Sequence, residues 1–288
     1  MSALRDMLMT QVKELYDLPH LPMIAAQVIR KAQDPEASAR DLGDLIQQDT
    51  ALSARVLRVA NSSLFALRSP VVSVDRAVVV LGAQMISSIV LGECLNAEFE
   101  GRIPRETLMA YWQHSWSAAS AAQEMAGWLP SIRPGTLLTL GLLHDIGVLA
   151  LLALAHDEAC EAWELAAGQG VDPVEAELEV LGTTHPEVGG WLAEAWRLPD
   201  AIRVVARFHH APVVAPEEHQ PSAAVAYLSN YVANVAGAVR FEGLTAPAFW
   251  EESLALMRPS DPLPRSLVVD LAEDIASRQE GISALLRD

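Results

Sequence analysis

The sequence predicts an all-α protein, and three observations support that fold class. Only 6% of the 288 residues are aromatic, and Ala and Leu are prominent throughout, a composition that favours helix over sheet. Apolar residues recur at helical spacing along most of the chain. Gly and Pro interrupt that pattern at short intervals, which predicts many short helices joined by turns. A chain of this length can form one large domain or two modest ones with a full hydrophobic core.

The first hundred residues are predicted to form short helices with recognisable ends. These helices are expected at 3–17, 23–33, 41–48, 51–60, 74–81 and 83–95. Ser38, Asp49 or Thr50, and Ser73 have side chains that cap helix N-termini. Residues 74–95 have helix-turn-helix proportions. The second of those helices carries no Arg or Lys to meet a phosphate, however, so DNA binding is disfavoured.

A composition shift near residue 100 predicts a boundary between two lobes. Residues 97–106 are polar and contain Gly and Pro, so lobes at 1–100 and 101–288 are expected. Beyond the boundary, helices are predicted at 107–128, 156–169, 174–181, 185–197, 201–210, 222–240, 246–257 and 263–285. Thr184 and Glu187 fit a capping box at the start of the fourth of these, where Pro186 is tolerated in the first turn.

The segment from 137 to 154, LLTLGLLHDIGVLALLAL, is almost wholly apolar and has His144 and Asp145 in its middle. A carboxylate among Leu, Ile and Val needs a partner, and a cation shared with the adjacent imidazole is the most economical one. Two other interpretations remain. The segment is long enough to span a membrane, although the polar pair would cost several kcal/mol and no basic cluster flanks it. It could also be a buried core helix with a satisfied polar pair.

Charge argues against nucleic acid as a direct partner. The formal net charge is -17. Lys and Arg number 9 against 12 Asp and Glu in residues 1–100, and 11 against 25 in the remainder, so the two parts carry -3 and -14. Neither part has the basic stripe that a phosphate backbone requires.

The cysteines and the N-terminus predict a cytoplasmic protein. Cys94 and Cys160 are far apart and have no CxxC spacing, so they do not resemble a disulfide framework. The first 18 residues mix charges into their apolar positions and lack the core of a signal peptide. Neither a membrane nor an oxidising compartment is expected.

Metal-ligand residue types gather at or near predicted helix ends after residue 100. The candidate ligands are His114, His144, Asp145, His185, His209 and His210. Imidazole with carboxylate suits iron, zinc, manganese or nickel, and helical bundles build metal sites from inward-facing ligands on several helices. Small residues at 117–122 should let the apolar segment pack close to the helix of His114. A single histidine on such a face is more often an ordinary core or boundary residue than a ligand.

The order of these residues resembles the HD superfamily of metal-dependent phosphohydrolases and its two-metal branch, the HD-GYP phosphodiesterases. The preceding segment, DPEASARDLGDLIQQDTALSARVLRVANS followed by SPVVSVDRAVVVLGA, resembles the HDOD family. Members of that family join an N-terminal helical lobe to an HD-like helical lobe. The resemblance covers roughly residues 15–240. It implies a two-lobed helical protein and a signalling or output module whose HD lobe has generally lost its catalytic set.

Departures from the HD pattern imply a weakened site. Asn230 stands where the enzymes have a final Asp, Val148 where HD-GYP enzymes have a Lys, and Ala110 where they have an early acidic ligand. No GYP signature follows His210. A phosphodiesterase must hold metal, activate water and neutralise phosphoryl charge, so these differences favour a non-catalytic bacterial regulatory module.

Such a module would bind a signalling protein partner or transmit a sensor state. Two alternatives remain open: a metal-dependent phosphohydrolase that acts on cyclic dinucleotides or nucleotides with an altered ligand set, and a module that binds a nucleotide messenger in the same pocket without turnover. The surviving ligand types could hold one divalent transition metal, or two.

Overall fold

The structure is a computed structural model that describes residues 3–14, 18–34, 36–62, 65, 67–129, 132, 134–241, 244, 249–259 and 262–286. Sixteen α-helices and no β-strand lie in these ranges, which confirms the predicted all-α class. The apolar faces of the helices meet in a continuous buried core that contains residues from Leu8 near the start to Ile282 near the end. This core crosses residue 100, so the division into two lobes stays a prediction.

The first six helices follow the predicted order. They are α1 Ala3–Lys13, α2 Met23–Gln33, α3 Ala39–Ile46, α4 Thr50–Ala60, α5 Val74–Leu81 and α6 Ala83–Phe99. The predicted caps are confirmed: Ser38 forms a capping box with Asp41, Asp49 accepts from the main chain of α4, and Ser73 accepts from that of α5. α6 is longer than predicted. α1 is shorter and ends at Lys13, and residues 15–17 lie outside the described residues.

The later helices surround the predicted site. They are α7 Arg105–Glu124, α8 Pro134–Leu143, α9 Ile146–Leu154, α10 His156–Gln169, α11 Pro173–Leu181, α12 His185–Ala195, α13 Asp200–Phe208, α14 Gln220–Val235, α15 Glu252–Leu256 and α16 Arg265–Leu285. Part of the predicted helix at 246–257, residues 246–248, lies outside the described residues. At the start of α12, Thr184 accepts from the amide of Glu187 as predicted. The Glu187 carboxylate instead accepts from Thr183 and Arg5.

The apolar segment is two helices rather than one. A turn at His144 and Asp145 separates α8 from α9. By length and composition, Gly135–Leu154 is the one membrane-span candidate among the described residues, and 83% of its 18-residue window is buried inside the protein. α7 covers it closely: a Cβ atom at Gly141 would lie 2.7 Å from the carbonyl oxygen of Ala118. The predicted close packing on the small residues of α7 is therefore confirmed.

The N-terminal helix packs against the second half of the chain. α1 contacts α12, where Arg5 Nη2 donates to Glu187 Oε1 at 2.9 Å. Just beyond α1, Trp196 Nε1 donates to the carbonyl oxygen of Pro19 at 3.0 Å. Residues near the start of the chain therefore help to hold in place the helix that begins with His185.

Close contact between α9 and α12 depends on Gly147. A Cβ atom there would clash with the carbonyl oxygen of His185 and lie 2.5 Å from the amide nitrogen of Gly189. We expect Gly147→Ala to lower the free energy of unfolding by about 2–3 kcal/mol, because two backbones must separate. Gly168→Ala is the matched control, since nothing lies within 4 Å of that position. The control should be neutral or stabilising by up to about 1 kcal/mol. Urea unfolding curves measure both, and equal stabilities for the two variants would contradict the close approach.

Candidate metal centre

Asp145 is the hub of a buried cluster of imidazoles. It follows α8 directly and precedes α9, and its side chain is 0% exposed. Its Oδ2 atom lies 3.4 Å from His114 Nε2 and 3.2 Å from His144 Nε2. Its Oδ1 atom lies 3.4 Å from His185 Nε2 and 3.1 Å from His209 Nε2. Four imidazoles from different parts of the chain therefore surround one carboxylate.

His210 extends the cluster towards the surface. Its Nε2 atom lies 3.2 Å from His185 Nε2, and its Nδ1 atom lies 3.6 Å from Asp172 Oδ1. The candidate ligand atoms form two groups in which all atoms lie within 4.8 Å of one another, namely His114 with His144 and Asp145, and His185 with His209 and His210. The structure thus brings together all six residues that the sequence singled out, and Asp145 bridges the two groups.

Main-chain carbonyls set the orientation of three rings. Each Nδ1 atom donates to a carbonyl oxygen: His114 to Ala238 at 2.7 Å, His144 to Gly141 at 2.7 Å, and His209 to Val205 and Ala206 at 3.2 Å. Since a carbonyl oxygen can only accept, the proton of each neutral ring lies on Nδ1. The Nε2 atom of each neutral ring then presents a lone pair to the centre of the cluster, as it does in metal-ligating histidines.

The centre of the cluster contains buried acceptors that face one another. His114 Nε2 and His144 Nε2 lie 3.3 Å apart. His209 Nε2 and Asp145 Oδ1, which are 3.1 Å apart, are both buried and have no hydrogen-bond partner among the described residues. Lone pairs at such distances repel unless a positive charge lies near them. The donor set therefore fits a divalent transition metal.

Arg240 supplies a positive charge that the sequence did not predict. The helix predicted to continue to residue 240 ends at Val235, because Gly237 has a φ of 86° that reverses the chain. The following segment then reaches the cluster, where Arg240 Nη1 donates to Asp145 Oδ2. Burial alone would raise the pKa of Asp145, but the charge of Arg240 holds that pKa well below its ordinary value. A Gly followed by an Arg among apolar residues was the signal available in the sequence.

Glu177 was also missed, and it distinguishes His185 from the other rings. This carboxylate is 0% exposed and accepts from Trp163 Nε1 at 2.9 Å, from the amide of His185 at 2.7 Å and from His185 Nδ1 at 2.8 Å. Burial opposes a charge on His185, but Glu177 raises the pKa of His185 to about 9. A Glu four residues before the buried Leu181 in α11 was the signal for this residue. Carboxylates commonly hold metal-ligating imidazoles in this way.

Asn230 and Val148, two positions that depart from the HD pattern, take no part in these contacts. Asn230 is 3% exposed, and its Oδ1 accepts from Asn234 Nδ2 at 2.8 Å. Among the described residues, no hydrogen bond joins Asn230 to the six candidate ligands. Val148 is buried in α9. The position matched to the final HD ligand therefore carries an amide engaged within its own helix.

Buried neutral histidines should make the protein sensitive to acid. Burial lowers the pKa of His114 to about 4, and it also lowers the pKa values of His209 and His210. Between an unfolded pKa of about 6.5 and these lower values, the unfolded chain binds more protons. Stability should therefore fall as the pH drops from about 6.5 towards 4, by up to about 1.4 kcal/mol per unit for each histidine. Urea unfolding of chelator-treated protein at pH 7, 6 and 5 measures this dependence, and a flat profile would contradict neutral buried rings.

Comparison with known proteins identifies the family of this arrangement. A family model described as the HDOD domain matches residues 18–212. A protein of Treponema pallidum (strain Nichols) that is described as uncharacterised is 26% identical over 211 residues. That match covers 71% of this chain and 40% of the Treponema protein. The chain therefore spans less than half the length of that relative.

Three solved structures share the fold. An HDOD domain protein of unknown function from Geobacter sulfurreducens has a TM-score of 0.81 at 24% identity, covering 98% of both chains. A candidate phosphohydrolase from Shewanella amazonensis SB2B has a TM-score of 0.71 at 23% identity, covering 99% of this chain and 98% of the other. A candidate signal transduction protein from Marinobacter aquaeolei VT8 has a TM-score of 0.74 at 24% identity, covering 100% of this chain and 62% of the other. At these identities the likeness establishes the architecture.

Proposed function

Since this chain belongs to the HDOD domain family, we propose that it is a non-catalytic signalling module of a bacterial cell. It binds a protein partner or transmits the state of a sensor. The observation that carries the proposal is the contact between Arg240 and Asp145 at the centre of the closed cluster. This contact places a guanidinium against the carboxylate that a metal-dependent phosphohydrolase would need as a metal ligand.

Burial of the cluster supports the absence of catalysis. His114, His144, Asp145 and His209 are 0% exposed and His185 is 1% exposed. A metal-dependent phosphohydrolase must bring a phosphoryl group and an attacking water to the ligand set. A phosphodiester could reach the central carboxylate only after surrounding groups moved apart. The amide at Asn230 and the apolar Val148 remove two further groups that the enzymes use.

We further propose that the six residues hold one divalent transition metal, which is iron, manganese, zinc or nickel. His114, His144 and Asp145 form one set of donors, and His185, His209 and His210 form the other. A bound metal would supply a positive charge at the facing lone pairs and act as a Lewis acid. Arg240 contacts Asp145 Oδ2, the oxygen that His114 and His144 also face. Arg240 therefore competes with any cation for the first set of donors.

Hydrolysis assays with matched variants test the non-catalytic proposal. The purified protein is incubated with cyclic dinucleotides and nucleotides, before and after loading with each of the four metals, beside His144→Ala and Asp145→Ala. We expect no turnover above that of the two variants. Turnover that both substitutions abolish would overturn the proposal. Elemental analysis of the same samples measures the bound metal. If none of the four metals is found above trace amounts after loading, the metal proposal is contradicted.

A metal-dependent phosphohydrolase with an altered ligand set is the second candidate. The assembly of all six ligand types around one bridging carboxylate favours it. The same assays decide between the two candidates, since only this one predicts hydrolysis that depends on Asp145.

We also infer that the protein acts in the cytoplasm. Cys94 and Cys160 are both free thiols, and Cys94 is buried, which suits a reducing compartment.

A further inference from the structure

A second site candidate shares no residue with the histidine cluster. It is a cleft of about 730 Å³ formed by α4, α6, the connection that follows α6, and α7. Four arginines line this cleft: Arg55, Arg58, Arg102 and Arg105. The whole chain has 20 Lys and Arg against 37 Asp and Glu. A concentration of a fifth of its basic residues in one cleft is therefore unexpected from composition.

Arg55 and Arg58 lie one turn apart on α4 and are both half-buried. Among the described residues, no ion pair or hydrogen bond joins either guanidinium to another group. Glu93 lines the cleft from α6, and burial raises the pKa of its carboxyl even though both arginines oppose that shift. Two partly desolvated guanidinium groups therefore have no paired carboxylate in the part of the chain that the structure describes, and such groups favour a bound anion.

The other walls supply a second kind of contact. Arg102 and Arg105 lie in and after the connection between α6 and α7, and Arg102 Nε donates to the carbonyl oxygen of Glu98 at 3.1 Å. Apolar groups complete the lining, and among them Pro104 is exposed and Met109 is half-buried, whereas Trp112 and Trp116 lie buried behind the surface. Glu100 is the remaining acidic residue there. The cleft thus combines guanidinium groups with an apolar wall.

We propose that this cleft binds a nucleotide. Arginine is the preferred residue for phosphate because its planar fork donates two hydrogen bonds to one phosphate group. Accessible apolar side chains offer a surface for a planar base. The cleft volume lies within the range of about 300–1,000 Å³ that is typical of small-molecule sites. The arginine side chains bind the phosphates, and the accessible apolar wall at Pro104 and Met109 contacts the base.

The position of the cleft gives this site a role in signalling. α4 and α6 belong to the predicted lobe at 1–100, whereas Arg105 and α7 belong to the lobe at 101–288. A nucleotide bound there contacts both lobes at once and favours the arrangement in which they are together. This inference goes beyond the proposed function and does not depend on whether the histidine cluster binds metal.

Isothermal titration calorimetry of the full chain tests the proposal. The probes are ADP, GDP, cyclic di-GMP and inorganic pyrophosphate. We expect at least one of the nucleotides to bind, more tightly than pyrophosphate, with an affinity that falls as the salt concentration rises. Arg55→Gln/Arg58→Gln should weaken binding about 100-fold, because each lost charge-assisted contact is worth about tenfold or more. Absence of binding by all four probes would overturn the proposal.

Two control proteins locate the site. Arg40→Gln/Arg76→Gln removes the same charge from exposed positions outside the cleft, and His144→Ala alters the histidine cluster. Both should change the affinity by less than about twofold. Loss of binding in His144→Ala with retention in Arg55→Gln/Arg58→Gln would overturn the proposal by placing the nucleotide in the cluster.

A second cleft variant and an independent readout complete the test. Arg102→Gln/Arg105→Gln removes two exposed arginines and should also weaken binding at least tenfold. The melting temperature of each variant shows whether it folds. If Arg55→Gln/Arg58→Gln does not fold, the affinity of Arg102→Gln/Arg105→Gln decides the result. Hydrolysis that depends on Asp145 would overturn the non-catalytic function and leave this inference standing, so the two failures are distinguishable.

Discussion

Replacement of Asp145 by Ala is expected to lower the free energy of unfolding by about 3–5 kcal/mol, because it leaves a buried charge without its partner. Arg240 is only 8% exposed, and Asp145 accepts a hydrogen bond from its guanidinium. Water cannot replace the lost carboxylate at a site so fully enclosed. Urea unfolding of chelator-treated protein measures the change free of any effect of metal.

A double-mutant cycle separates this pair from a general loss of packing. Asp145→Ala/Arg240→Met should lose less stability than the two single changes added together, since it leaves neither charge buried. Glu124→Ala is the surface control, because Glu124 pairs with Arg278 at 3.0 Å where both side chains are partly exposed. That control should lose less than about 1 kcal/mol. Additive losses at Asp145 and Arg240 would contradict their pairing.

Replacement of Glu177 by Ala should lower the free energy of unfolding by about 3–4 kcal/mol, because three buried donors lose their acceptor. Those donors are Trp163 Nε1, the amide of His185 and His185 Nδ1. Glu175→Ala on the same helix is the control, since Glu175 is not among the buried polar residues. The control should change stability by less than about 0.5 kcal/mol. Similar losses for the two variants would contradict the role of Glu177.

Glu177→Gln tests the charge separately from the shape. Glu177 raises the pKa of His185 to about 9 from an ordinary value of 6.5. Stability from this pair is therefore fully present below pH 6.5 and is lost as the pH rises through 9. The difference in free energy of unfolding between the wild type and Glu177→Gln should be largest at pH 6.5 and smallest above pH 9. NMR titration of His185 in both proteins checks the cause, and an unchanged pKa would contradict it.

Local patterns in the sequence placed most helices correctly. α2 matches its prediction from Met23 to Gln33, and α10 matches from His156 to Gln169. The side chains of Ser38 and Ser73 each accept a hydrogen bond from the amide three residues further along the chain, so a short stretch of sequence contains the whole interaction. The end of α14 was wrong because a single glycine with a positive φ outweighed an apolar pattern that continued past it.

The sequence predicted which six residues form the cluster. It did not predict the two charged residues, Arg240 and Glu177, that pair with them. His114 and His209 could be proposed as neighbours of Asp145 because buried polar groups of those types need one another. Arg240 lies 95 residues from Asp145 along the chain, and the Gly before it indicates a turn but does not identify the carboxylate that the Arg meets. Glu177 lies on a helix with other glutamates, and its spacing from Leu181 indicates the inward face of that helix but not its contacts with Trp163 and His185.

By itself, the sequence determined the all-α class, the helix caps and the six residue types that gather at the site, since periodicity and capping act over a few residues. The tertiary structure decided which charges balance in the interior. Because water is excluded there, the protonation of each ring depends on the groups that folding brings within about 3–4 Å, whatever their separation along the chain. That dependence gives Arg240 and Glu177 their importance in this protein.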